Sequence, residues 1–172
     1  MSLPLPTEPR TAVDWVTLED VPLAVVRHTG ARQGDLRNLF DRSFRVIGAA
    51  VAAGDVRPTG PAVAIYDGDP ADVVDLAVGF PVAQAPDAAL ERDGAEIVGH
   101  HLPGGAYAAV SHVGSYDGLS DAWERLLAGV TEGGAQPRGA WVEVYVSQPT
   151  PESDPATMRT DLLVPVVLDD VV

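Results

Sequence analysis

Trp141, Glu143 and Tyr145 alternate along the chain with Val142, Val144 and Val146. In an extended strand this spacing puts the two rings and the carboxylate on one face and the valines on the other. Bulky rings around a carboxylate suit a flat, apolar cation: the rings offer contact area and cation–π attraction, and the acid offers the counter-charge. The competing assignment is a solvent-facing glutamate on the outer face of a sheet, the usual place for an acid. The alternation alone leaves both open. Were Glu143 buried among the rings, its neutral form would be favoured and its pKa raised into the range of a general acid or base. Tyr116, Tyr145 or Tyr107 could then support a developing oxyanion or position water. Passive binding and acid–base chemistry therefore draw on the same residues.

Other chemistry-bearing residues have plainer readings. His28 and His112 fall at matching places in an internal repeat, which favours a structural role for both. His100 and His101 are neighbours, and neighbours on a strand face opposite sides, so they are poorly placed to share a metal. No metal set and no cofactor motif is apparent. Gly104-Gly105 and Gly133-Gly134 read as turn glycines and open no phosphate-binding loop. Gly114-Ser115-Tyr116-Asp117-Gly118 has glycines around a serine, but the serine is not central as a nucleophile elbow requires. Ser115 or Asp117 is expected to cap a helix starting near Leu119.

The elements that must position these residues repeat once. Val26-Arg27-His28-Thr29-Gly30 matches Val110-Ser111-His112-Val113-Gly114. A helical pattern follows each: Leu36, Leu39, Phe40, Ser43, Phe44, Ile47, Ala50 and Val51 in the first, Leu119, Ala122, Trp123, Leu126, Leu127 and Val130 in the second. Phe40, Phe44, Leu126 and Leu127 read as core. Breaks at Gly54 and at Gly133-Gly134 end the two patterns. Pro58 to Tyr66 then aligns with Pro137 to Tyr145, two alternating strands entered through Pro/Gly turns. Closing strands, Val73–Val82 and Thr160–Val167, carry Phe80-Pro81-Val82 against Val164-Pro165-Val166. Extra strands are expected at Val13–Leu18 and Ala95–Leu102.

The pattern predicts an α+β domain: a tandem strand–helix–strand–strand repeat forming one antiparallel sheet. Two helices pack on one of its faces, with a pseudo-twofold pocket between the repeats. Repeat one spans about 12–84 and repeat two about 94–169, with residues 1–10 as a solvated, proline-rich lead-in. Where the copies disagree chemically is informative. The first-half equivalents of Trp141, Glu143 and Tyr145 are Ala62, Ala64 and Tyr66, so one copy alone carries the acid.

Composition narrows the partners. The 172 residues hold 11 basic side chains, all arginine, against 25 acidic ones, for a net charge of -14. Phosphate neutralisation needs a cationic surface, so an ordinary nucleic-acid module is excluded, and an anionic membrane surface is equally unsuited. Without cysteine there is no disulfide framework and no thiolate chemistry. No run is long enough to span a bilayer and no signal peptide is visible, so a cytoplasmic protein is expected.

Several segments, taken together, resemble the GyrI-like family, the effector-binding domain of bacterial transcription activators. They are Leu102-Pro103-Gly104-Gly105-Ala106-Tyr107, His112 to Leu119, Ala122-Trp123, Trp141-Val142-Glu143-Val144-Tyr145 and Thr160-Asp161-Leu162. The resemblance implies the same repeat architecture and a pocket for hydrophobic, often cationic, compounds. In it Glu143 matches the acidic pocket residue, Tyr145 the tyrosine of the Glu-x-Tyr strand, and Tyr116 the aromatic after the His-x-Gly turn. Trp141, Trp123, Tyr107 and Tyr66 are further candidates for the wall. Asp161 departs from the family, which more often has glutamate there. Many relatives carry a helix-turn-helix; this chain is expected to be free-standing, as monomer or homodimer. The resemblance leaves three activities open: sequestration of a hydrophobic cation, hydrolysis of strained-ring DNA-alkylating natural products by Glu143, and an acidic surface that engages DNA gyrase or a separate regulator.

Overall fold

The computed structural model describes residues 3–69, 72–147, 152 and 154–168. The first half holds β1 (Asp14–Leu18), β2 (Val21–Ala31), α1 (Leu36–Ala52), β3 (Ala62–Tyr66) and β4 (Val74–Pro81). The second holds β5 (Leu90–Arg92), β6 (Ala95–Leu102), β7 (Gly105–Val113), α2 (Leu119–Glu132), β8 (Ala135–Pro137), β9 (Trp141–Tyr145) and β10 (Arg159–Leu168). One sheet runs in the order β1-β7-β10-β9-β3-β4-β2-β6-β5, with β8 beside β10, and its pairings are antiparallel. The predicted units are β2-α1-β3-β4 and β7-α2-β9-β10. Two three-residue strands, β5 and β8, were not foreseen, being too short to register a period of two.

The halves join at β3 and β9. Ala64 pairs with Glu143, flanked by Ala62 with Tyr145 and Tyr66 with Trp141. Ala64 and Glu143 are equivalent in the repeat, so the pseudo-twofold passes between them. The strand preceding each unit crosses to the other: β1 pairs with β7 and β6 with β2.

Both helices lie on one face, held by apolar stripes at i, i+3 and i+4. Val46, Ile47 and Ala50 of α1 cover Ala24, Val26 and Ile97. Trp123, Leu126 and Val130 of α2 cover Ala108, Val110, Leu162 and Val164. Burial of a side chain such as Ile47 or Leu126 is worth ~1.5–3 kcal/mol. Each helix stops at a left-handed glycine, Gly54 at φ 82° and Gly134 at φ 77°, a conformation that a Cβ would strain. On the other face Leu18, Leu23, Val25, Val63, Val142, Leu163 and Tyr107 form a continuous cluster. It draws on strands from both ends of the sheet, so the sheet bends around it without closing.

The lead-in is not solvated as expected. Leu3 is buried and Leu5 partly so against this second face, because an apolar surface that no helix covers needs another cover. A buried ion cluster pins the segment. Asp161 accepts from Arg159 Nε at 2.9 Å and Nη2 at 2.8 Å, from Ser111 Oγ at 2.8 Å and from Arg10 Nη1 at 3.4 Å. Arg159 also donates to the carbonyls of Pro6 and Thr7, and Arg10 to that of Pro4. Asp161, the position that departs from the family pattern, is therefore the anchor of the lead-in.

The capping expectation also fails. Neither Ser115 nor Asp117 gives α2 a side-chain cap; a 3-10 turn at Tyr116–Gly118 leads into it. The Ser115 carbonyl instead engages His112. Among the described residues no helix is long and apolar enough to cross a membrane.

Candidate functional site

Glu143 lies at the centre of the helix-covered face and is 4% exposed. The alternation of β9 turns it inward, and its cross-strand neighbour Ala64 is too small to fill the space above the pair. Three donors use that space. Trp123 Nε1 donates to Oε2 at 2.8 Å, and the hydroxyls of Tyr145 and Tyr66 donate to Oε1 at 2.7 and 3.2 Å. Tyr66 and Tyr145 are repeat equivalents, so two symmetric hydroxyls converge on one asymmetric acid.

Rings continue outward from this centre. Trp123 stacks on Trp141 with centroids 4.7 Å apart, and Tyr116 meets Tyr145 edge-on at 5.9 Å. Phe40 also sits edge-on to Tyr145, at 5.9 Å, and stacks on Phe44 at 6.1 Å. Phe40 is the fifth residue of α1 as Trp123 is of α2, so equivalent positions of the two helices both bring a ring to this cluster. Tyr116 is exposed, while Tyr145 and Trp141 are half-buried, so these three form the outer rim.

Six of the seven residues picked from sequence, Glu143, Trp141, Tyr145, Tyr116, Trp123 and Tyr66, thus come together. Tyr107 does not. It lies fully buried on the opposite face, donating to the Pro103 carbonyl at 2.6 Å. Its neighbours Ala108 and Val110 face α2, which fixes Tyr107 on the other side. Burial pushes its hydroxyl up to about 12. The two histidines hold loops and helices: His28 Nε2 meets Ser43 Oγ at 2.7 Å, and His112 Nε2 meets the Ser115 carbonyl at 2.7 Å.

Electrostatics at the centre are opposed. Burial pushes the Glu143 carboxyl above its ordinary range, while the bonds from Trp123, Tyr145 and Tyr66 and the nearby His112 pull it down; burial wins. Burial, and then the Glu143 charge, push the Tyr145, Tyr66 and Tyr116 hydroxyls upward, so they remain donors. Two surface clefts, of ≈ 510 and ≈ 270 Å³, both border Ala83, Gln84 and Pro86 after β4, and neither borders Glu143. The convergent polar groups are at the ring-lined centre.

Residues 11–167 match the GyrI-like small molecule binding domain. The chain belongs to the GyrI-like family. No curated protein matches it by sequence. Among solved structures, this GyrI-like domain is similar to the EcmrR C-terminal domain, at 19% identity and a TM-score of 0.73 over 91% of this chain and 97% of that one. It is also similar to a hydrolase encoded by lin2189 from Listeria innocua, at 14% identity and a TM-score of 0.64 over 94% of both chains. A third similar structure is SAV2435 bound to tetraphenylphosphonium, at 13% identity and a TM-score of 0.61 over 91% and 94%. At these identities the likeness to the three structures is one of fold.

Proposed function

We propose that this GyrI-like small-molecule-binding domain takes hydrophobic aromatic cations, with Glu143 as the counter-charge. One observation carries the reading. A single carboxylate is buried on the pseudo-twofold, aligned by three donors and walled by Trp123, Trp141, Tyr145 and Phe40. The donors leave the carboxylate charge uncancelled, and a cation over the rings would gain both cation–π and Coulomb attraction in a site with little water. That the similar SAV2435 binds tetraphenylphosphonium supports the class of ligand. A ligand would pass Tyr116 on the rim, the most exposed ring of the group.

Tetraphenylphosphonium titrated into the protein should quench the fluorescence of the stacked Trp123 and Trp141. Glu143→Gln should weaken binding about tenfold to a hundredfold, which is ~1.4–2.8 kcal/mol. Gln is a mild replacement, since its carbonyl can take the Trp123 bond and its amide can donate to either tyrosine hydroxyl. Unchanged affinity in that variant would remove the counter-charge role.

A second reading rests on the Glu143 carboxyl, which burial raises above the ordinary range and so makes a stronger base than a solvated glutamate, held by three donors at the ring-lined centre. An ionised Glu143 would take a proton from water as the water oxygen bonds to a strained ring carbon. The electron pair of the breaking ring bond passes to a conjugated carbonyl, which is then protonated by the acid just formed. Mass analysis of a cyclopropane-bearing electrophile incubated with the protein decides between the readings. Turnover that disappears in Glu143→Ala favours hydrolysis, and binding without product favours sequestration.

A further inference from the structure

We propose that Thr160 is a ligand-contacting residue. Its hydroxyl, together with the His112 ring, forms a hydrogen-bonding subsite beside Glu143 that takes a hydroxyl group carried by an aromatic cation. The proposal rests on the reading of the Glu143 cluster as the ligand site. Thr160 is 1% exposed, and among the described residues its Oγ1 is the one buried side-chain nitrogen or oxygen with no hydrogen-bond partner. A hydroxyl held out of water without a partner is costly, and such a group calls for a function.

Its place in the sheet supplies one. Thr160 stands on β10 directly between Tyr145 of β9 and His112 of β7. It shares the helix-covered face with Leu162, the cross-strand neighbour of Glu143. Tyr145, which bonds Glu143, therefore also flanks Thr160. The first half has the same row with different chemistry: Leu76 stands between Tyr66 and His28 and is buried in an apolar cluster.

The helices explain the two histidines. Ser43, eighth in α1, meets His28, but the eighth residue of α2 is Leu126, which offers no such bond. His112 turns instead to the Ser115 carbonyl, which can only accept. Nε2 therefore carries a proton, and whenever the ring is neutral its Nδ1 is left as an acceptor. A ligand hydroxyl could donate to that nitrogen while accepting from Thr160. The second copy thus departs from the first twice in adjacent rows, by an acid at Glu143 and by a hydroxyl at Thr160.

A matched pair of probes tests this. Tetraphenylphosphonium has no hydrogen-bonding group, and (4-hydroxyphenyl)triphenylphosphonium adds one hydroxyl. Thr160→Val, which keeps the shape, should weaken the hydroxylated probe about fivefold to tenfold and leave the plain one unchanged; Thr160→Ser should restore the difference. The thermal midpoint of Thr160→Val without ligand should equal or exceed that of the wild type. A lowered midpoint with equal loss of both probes would show a structural role and overturn the proposal. Neutral 4-hydroxybiphenyl against biphenyl separates the two readings. If the phosphonium pair fails on wild-type protein but the neutral pair shows a Thr160-dependent preference, the cation reading falls and the subsite stands. No Thr160-dependent preference with either pair, including no binding at all, overturns the subsite.

Discussion

The two halves share a backbone plan and differ in what they bury. In the first, Ala64, Leu76 and Ala77 line β3 and β4, and the polar pair on the helix side is His28 with Ser43. The equivalent positions of the second hold Glu143, Thr160 and Asp161, all buried. Buried polar groups cost stability unless they are bonded, so the second half carries the greater burden. The first half supplies walls to the same centre: Tyr66 as donor, and Phe40 over Tyr145. The two copies thus share one backbone plan but contribute unequally to the centre, walls from the first and the acid from the second.

The difference can be broken most severely at Asp161. Asp161→Ala copies the first half's Ala77 but strands Arg159 and Arg10 beneath the lead-in, and should cost ~3–5 kcal/mol in urea unfolding. A loss below ~1 kcal/mol would mean that the cluster contributes little to holding residues 3–10. Restoring symmetry in the opposite sense comes next. Ala64→Glu sets a second carboxylate against Glu143 across the axis, where the two cannot both ionise cheaply and the added bulk overfills the space. It should cost ~1–3 kcal/mol at neutral pH and less in acid, where both acids are neutral; a pH-independent loss would assign the effect to bulk alone.

The smallest effect sharpens the comparison through pH. The folded-state value of Glu143 is raised above its ordinary 4.5, so the folded protein holds this proton more tightly than the unfolded chain. Its contribution is full below about 4.5 and falls as pH rises toward the raised value. Glu143→Gln should remove that slope, making the variant at least as stable as wild type at pH 7 and closing the gap in acid. Parallel stability curves for the two proteins would contradict the burial argument.

Much of this contrast was legible in the chain itself. Strict alternation fixed the shared face of Trp141, Glu143 and Tyr145, and the repeat isolated Glu143 against Ala64. The closing strands also fell within a residue or so of β4 and β10. What local pattern cannot encode is the choice of partner. Nothing in Val13–Leu18 says that it pairs with β7 rather than β2, and nothing in the three prolines near the start says that Leu3 is buried. Tyr107 shared a motif with the site and faces away from it, because membership in a motif does not specify a side of the sheet. Thr160 belongs to a family-like segment too, yet the sequence gives it no role for a related reason. A threonine in a strand is ordinary until its hydroxyl is seen to lack a bond.

The exchange of β1 and β6 between the halves bears on how the protein is made. A ribosome releases Asp14 to Leu18 long before Gly105 to Ala109, their partners, exist. β2 likewise presents an open edge until Val98 to Leu102 arrive. Neither copy can complete its hydrogen bonding in order of synthesis, so the nascent first half must wait unsealed for the second. Such distant pairing slows folding and exposes strand edges to other chains. Once the crossover is made, the same two strands tie each copy to the other, and the halves cannot part as rigid bodies. Access to Glu143 then has to come from the rings and helix ends above it.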